Sequence, residues 1–250
     1  MVVSPFDRLQ SLDVCFNGEY QLRGIVSSLA YGGACTTLKR LSLSIHPESR
    51  TAGKCLVSAL GDTAFPRFTR LREVCLSNIH DVDILFTALS RSMDFATLLR
   101  LNVLECYKGD AFFSALSTHI RRGPVALAHL ALSILDRDDG TTQFLSSCHN
   151  LTTLHINIWD DLISPTFLRT LIHIVPFLRT FAIHQVQLDS LSDRIEAGQV
   201  EAFGVLLRSA CTLRFLGYQL DYEAVDLVEG EEMSGFRSFL VSPLQPRTSR

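Results

Sequence analysis

Several absences narrow what this chain can do before any residue is assigned a role. It has seven Cys (Cys15, Cys35, Cys55, Cys75, Cys106, Cys148 and Cys211), yet no CxxC pair and no Cys/His spacing of the zinc-binding kind. An odd set of cysteines set in or beside apolar phrases reads as free thiols in a reducing compartment, so the expected location is cytoplasmic or nuclear. No Gly-rich phosphate loop of the GxGxxG or GxxxxGK[ST] kind is present. The start, MVVSPFDRLQ, lacks the apolar core of a signal peptide. No stretch approaches eighteen uncharged apolar residues, which leaves no candidate membrane span. There is little net charge, −3 over 250 residues, which excludes a broad nucleic-acid surface of clustered Lys and Arg. That charge is uneven: from Asp221 onward six acidic residues stand against three Arg, so residues 1–220 are close to neutral.

What the chain has in quantity is apolar residues, 47% of the total, arranged in a recurring phrase. The phrase is clearest at Leu151–Trp159, LTTLHINIW, where Leu154, Ile156 and Ile158 alternate with polar residues. A step of two is the period of a strand with one buried face. Aligned on its first Leu, the frame L-x-x-[LVF]-x-[LVIY] occurs eight times, starting at Leu9, Leu38, Leu71, Leu98, Leu127, Leu151, Leu178 and Leu213. The intervals run from 24 to 35 residues with a mean of about 29.

The segments between phrases carry helical periodicity. Glu19–Tyr31 repeats Leu22, Ile25, Val26 and Leu29 at helical spacing, and Asp81–Met93 does so with Val82, Leu85, Phe86 and Leu89 behind Asp81 as N-cap. Gly109–Ile120, a short Thr141–Cys148, Ser164–Val175 opening Ser-Pro, and Gln199–Ala210 read the same way, with a weaker helix at Ala52–Leu60. Each unit is thus a strand and a return helix, which buries its apolar strand face only by stacking on its neighbours. The expected fold is α/β: a solenoid over residues 1–220 with parallel strands on the concave face and helices on the convex face. Strands crowd to about 4.8 Å while helices need about 10 Å, so the stack should bend. Residues 221–250, acidic and then Pro/Ser/Arg-rich, read as a partly disordered tail, with Gly235–Leu240 as a candidate cap.

On these phrases the chain resembles the leucine-rich-repeat family in its long-repeat, ribonuclease-inhibitor-like class, over roughly residues 6–220. The family frame L-x-x-L-x-L-x-x-[N/C] is met through its ninth position by Asn17 and Cys106. Elsewhere that position holds His46, Ile79, Leu135, Trp159, Val186 and Asp221, so the side-chain ladder of the family is mostly missing. The degenerate repeats look like the C-terminal region of fungal F-box proteins, although the F-box phrase itself is absent. The resemblance implies a right-handed superhelix and a non-catalytic recognition role, with substrate capture for a ubiquitin ligase as the specific form. A stand-alone scaffold or regulator is the alternative, and a metal-dependent enzyme is a third reading.

In a repeat of this kind, residues two, four and six beyond the first Leu point away from the helices. The partner-binding candidates among them are Arg40, Ser42, Glu73, Arg100, Asn102, His129, Thr153, His155, Asn157 and His184, joined by Trp159 just beyond its strand. The face positions are mostly small and polar, which suits a protein ligand, and the chain is expected to act as a monomer with no cofactor. His129, His155 and His184 lie on successive strands but shift by two residues each time. Diagonal neighbours sit about 7–8 Å apart, too far to converge on zinc at 2.0–2.1 Å. Ser133 or Cys148 as a nucleophile lacks an elbow or an oxyanion loop. The DRDDG run at 136–140 lacks the closing ligands of a calcium loop and reads as a solvated turn. Catalytic, cofactor and metal sites are therefore all expected to be absent.

Overall fold

The structure, a computed structural model, describes residues 8–17, 19–31, 33–45, 66–120, 125–135, 138–158, 164–185, 205–206, 208 and 215–220. Each of the eight phrases becomes a strand that starts two residues after its first Leu. These are β1 (Ser11–Phe16), β2 (Arg40–Ile45), β3 (Glu73–Ser77), β4 (Arg100–Leu104), β5 (His129–Ile134), β6 (Thr153–Ile158), β7 (Thr180–Gln185) and β8 (Phe215–Leu220). They form one sheet in chain order, and every neighbouring pair is parallel. Five helices are described: α1 (Glu19–Tyr31), α2 (Val82–Ser92), α3 (Gly109–Ile120), α4 (Asp139–Ser146) and α5 (Pro165–Ile174). Short 3-10 turns at Ala34–Thr36, Phe95–Thr97 and Val175–Phe177 lead into β2, β4 and β7.

The register never slips. Leu12, Leu41, Val74, Leu101, Leu130, Leu154, Phe181 and Leu216 stand opposite one another in a single row across the sheet. From Leu41 to Phe181 this row is at most 2% exposed. A second buried row runs from Val14 through Leu43, Leu76, Val103, Leu132 and Ile156 to Ile183. A one-residue slip would turn both rows outward, so burial of one face fixes the pairing. The strand entries share a backbone device. The carbonyls of Gln10, Lys39, Arg72, Leu99, Ala128 and Thr152 each accept two N–H groups, from the second and third residues of the next phrase. Thus Lys39 takes Arg72 and Glu73 at 2.8 and 3.0 Å, and Ala128 takes Thr152 and Thr153 at 2.9 and 3.0 Å. Each entry chain is tied to the next without any side-chain requirement, so degenerate sequences can keep the same stacking.

All five helices cover one sheet face. Leu22 and Leu29 of α1, Leu85 and Leu89 of α2, Phe112, Phe113 and Leu116 of α3, Phe144 and Leu145 of α4, and Phe167 and Leu171 of α5 join the buried strand rows in one core. A run of aromatic rings fills the gap between helices: Phe86 lies 5.3 Å from Phe95 and 5.6 Å from Phe112, and Phe113 lies 5.1 Å from Phe144.

The helix boundaries follow the sequence with three corrections. Ser164 caps α5 as expected, accepting from Phe167 N at 3.1 Å ahead of Pro165. Asp81 precedes α2 but makes no capping bond; its Oδ1 is instead held at 2.7 Å by Lys108 Nζ from the next unit. Helix α4 begins at Asp139, two residues earlier than its apolar spacing suggests, because Asp110 of α3 reaches across to cap it. The run at 136–140 is therefore no solvated turn over its described residues: Asp138 and Gly140 are buried. The helices expected at 52–60 and over most of 199–210, Trp159, the 221–250 tail and its candidate cap lie outside the described residues.

Candidate functional site

Side chains that alternate with the buried rows form the other sheet face, and no described element packs onto it. In-register strands arrange these side chains in three rows. The first, at the strand entries, reads Ser11, Arg40, Glu73, Arg100, His129, Thr153, Thr180. The second reads Asp13, Ser42, Cys75, Asn102, Ala131, His155, Ala182. The third holds Cys15, Ser44, Ser77 and Leu104, then Ser133, Asn157 and His184.

Neighbours along a row stand about 4.8 Å apart. Arg40, Glu73 and Arg100 therefore alternate in sign, and His129 follows Arg100. Arg40 and Arg100 are exposed, while Glu73 and His129 are half-buried. Partial burial and the Arg100 cation hold the His129 imidazole below its ordinary pKa; Glu73 acts in the opposite direction, and His155 adds to the lowering. The imidazole thus stays neutral over a wider pH range and offers one donor and one acceptor.

The rest of the face is low and polar. Asn102, Thr153, Asn157 and His184 are half-exposed and His155 is exposed, so each can meet a partner. Ser42 is not available: it is only 6% exposed, a short side chain seated low in the sheet between Asp13 and Cys75. Ser133 is also buried, and its Oγ accepts from Glu105 N at 3.0 Å.

The histidine diagonal has the geometry its spacing implies. His129 pairs with Thr153, Ala131 with His155, and Asn157 with His184, so each step moves two residues along and one strand across. Among the described residues no group of three metal-ligating side chains is positioned to hold an ion. Cys148 is buried, its thiol donates to Phe144 O at 3.4 Å, and burial pushes its pKa up to about 12, so it stays protonated at neutral pH. No described helix is long and apolar enough to cross a membrane.

Sequence reasoning missed the seams between units. Asp110 Oδ1 accepts from Gly140 N at 2.7 Å and Thr141 N at 3.1 Å. Asp138 Oδ2 accepts from Ser164 N at 2.9 Å, at the start of the following helix. Cys106, ninth in its phrase, places its thiol 3.3 Å from Leu104 O in its own strand and 3.5 Å from Leu76 O, one unit back. Burial pushes that thiol up to about 12, which keeps the proton the bond requires. The Cys106 bond was legible from the repeat frame. The carboxylate bonds were not, because nothing in one helix says which neighbour its acid will reach.

Comparison with protein-family models and with curated protein sequences finds no match to this chain.

Proposed function

We propose that the chain is a curved leucine-rich-repeat solenoid of the ribonuclease-inhibitor-like class, and that its open sheet face captures a protein partner. One observation carries the reading. All-parallel sheets are normally covered on both faces, whereas Asp13, Cys15, Arg40, Arg100 and His155 stand exposed on a parallel sheet whose other face is buried from β2 to β7. Small residues around them let a partner approach the strands closely, and the alternating charges of β2 to β4 give it a register. The bend follows from the unequal widths of strands and helices and makes that face concave.

The resemblance to the repeat region of fungal F-box proteins makes ubiquitin-ligase substrate capture the specific form of this proposal. The test is affinity capture with the full chain and with an Arg40→Glu, Arg100→Glu, His155→Glu variant, followed by mass spectrometry. Partners lost from the variant support docking on this face, and an unchanged set rejects it. Deleting the gene then separates two roles. Captured partners should accumulate if the chain marks them for degradation, and unchanged levels would favour a scaffold.

A further inference from the structure

A second concavity lies beside the entries of β3 and β4, where α2 and α3 end, away from the open face. It has a volume of about 660 Å³, within the range of small-molecule pockets, and is lined by residues preceding β3, by the end of α2 and by His119 near the end of α3. Three guanidinium groups border it: Arg67, Arg72 and Arg91. Asp94 is the sole carboxylate in the lining, and its Oδ1 is occupied by Ala96 N at 2.9 Å. Among the described residues none of the three Arg has a carboxylate within 4.0 Å.

A bland explanation covers part of this charge. Arg91 and His119 sit in the last turns of α2 and α3, where a cation offsets the negative end of the helix dipole. Each helix end counts for roughly half a charge. Two ends and Asp94 together balance two of the three Arg, which leaves about one positive charge without counting His119.

Arg72 is the telling residue. It is half-buried, and its Nη1 donates to Leu71 O at 3.0 Å and Thr97 Oγ1 at 3.2 Å. Those bonds fix the guanidinium plane and use two of its five N–H donors; the other three have no acceptor among the described residues. Phe68 and Met93 complete the lining and each shows only a small apolar edge, 4% and 6% exposed. His119 is braced edge-on against Phe86 and Phe95, at 5.8 and 6.4 Å.

We infer that this pocket binds a phosphate monoester carrying an aryl or similarly apolar body. The fixed fork of Arg72 suits two phosphate oxygens, with Arg67 and Arg91 at the rim taking the remaining charge. The body fills the volume over Phe68 and Met93, which phosphate alone would leave empty. The assignment is independent of any partner on the open sheet.

The probes are phenyl phosphate, inorganic phosphate, benzoate and a short phosphotyrosine peptide, titrated calorimetrically at fixed ionic strength. Phenyl phosphate should bind saturably at one site, and inorganic phosphate and benzoate at least about tenfold more weakly. The Arg67→Gln, Arg91→Gln variant alters only exposed side chains, so its melting temperature should match the parent while phenyl phosphate affinity falls at least about tenfold. If the peptide binds as tightly as phenyl phosphate with the same Arg dependence, the natural ligand is a modified side chain. If the peptide is excluded, it is a free metabolite-sized ester. Benzoate binding as well as phenyl phosphate, affinity unchanged in the variant, or no saturable binding would each overturn the inference.

Discussion

Two sets of seams in this molecule solve one problem with different atoms. The chain must leave each strand, turn into a helix and stay joined to the next unit, and its backbone polar groups need partners as it does so. Between the third and fourth units the backbone does most of the work. Asn78, Glu105 and Lys108 adopt left-handed conformations with φ of 58°, 52° and 58°. Asn78 N reaches Leu104 O at 3.0 Å, Tyr107 N reaches Ile79 O at 3.0 Å, and the Cys106 thiol lies within reach of both Leu104 O and Leu76 O. Between the fourth, fifth and sixth units carboxylates take over, with Asp110 capping α4 and Asp138 holding the start of α5. What recurs is the unmet backbone valence and not the residue that meets it. That is why the ninth position of the phrase can hold Ile79 or Leu135 without loss of the fold.

Both kinds of seam hang from one core, and the largest expected effect comes from breaking it. Leu154 is fully buried between sheet and helices. Leu154→Asp places an unpaired charge there and should cost more than about 4 kcal/mol, leaving no cooperative transition in thermal or urea unfolding. A melting temperature near the parent's would reject the register. Next in size is a paired test of the seams. A Cβ on Gly140 would overlap the Asp110 backbone oxygen and lie 2.9 Å from Ser114 Cβ, whereas one on Gly109, at the start of α3, meets only Ser133 O at 3.8 Å. Gly140→Ala should therefore destabilise by about 2–3 kcal/mol through overpacking. Gly109→Ala should stay within about 0.5 kcal/mol of the parent. Equal effects at the two sites would mean that the close approach of α3 and α4 is not what Gly140 serves.

The strand frame was legible in the sequence because it depends on local alternation, and all eight strand starts follow from the position of one Leu. Helices α1, α2, α3 and α5 were legible for the same reason. The carboxylate seams were not, because each joins residues about thirty positions apart through side chains that differ from unit to unit. Asp110 looks like an ordinary first-turn acid of its own helix, and only the packing shows that it caps the next one. Ser42 is buried where alternation alone implies exposure, because alternation gives the direction of a side chain but not how deeply its neighbours bury it. The arginine pocket was invisible as well: Arg67, Arg72 and Arg91 belong to different elements and share no motif.

A smaller effect separates the two seam chemistries directly. Asp110→Ala removes an acceptor from two N–H groups at a helix N-terminus and should cost about 1–2 kcal/mol. Cys106→Ala removes a weaker thiol donor and a little packing, for about 1 kcal/mol. At pH 9, the ordinary pKa of a thiol, the unfolded chain begins to lose the Cys106 proton while the folded thiol, raised to about 12 by burial, keeps it, so the parent should lose a few tenths of a kcal/mol that Cys106→Ala does not. Urea midpoints of the parent and the two variants at pH 7 and 9 check both statements. A larger loss at Cys106 than at Asp110 would reverse the ranking of the seams.

The same division into early and late units appears on the open face, where charge alternates over β2 to β4 and gives way to Thr153 and Thr180 on β6 and β7. His129 heads the strand between them. Its pKa in the folded chain is lowered from 6.5, first by partial burial and then by Arg100. Above pH 6.5 the imidazole is neutral whether the chain is folded or not, and it contributes nothing to pH dependence. As the pH falls below 6.5 the unfolded chain binds the proton first, so stability declines until the folded-state pKa is reached. His129→Gln should therefore lose less stability than the parent between pH 7 and pH 5, measured as the change in urea midpoint. Arg100→Gln, which removes one of the two leading causes, should flatten the profile only in part, because the burial remains. An Arg100→Gln profile identical to the parent's would show that the charge alternation of the early strands does not act on His129 at all.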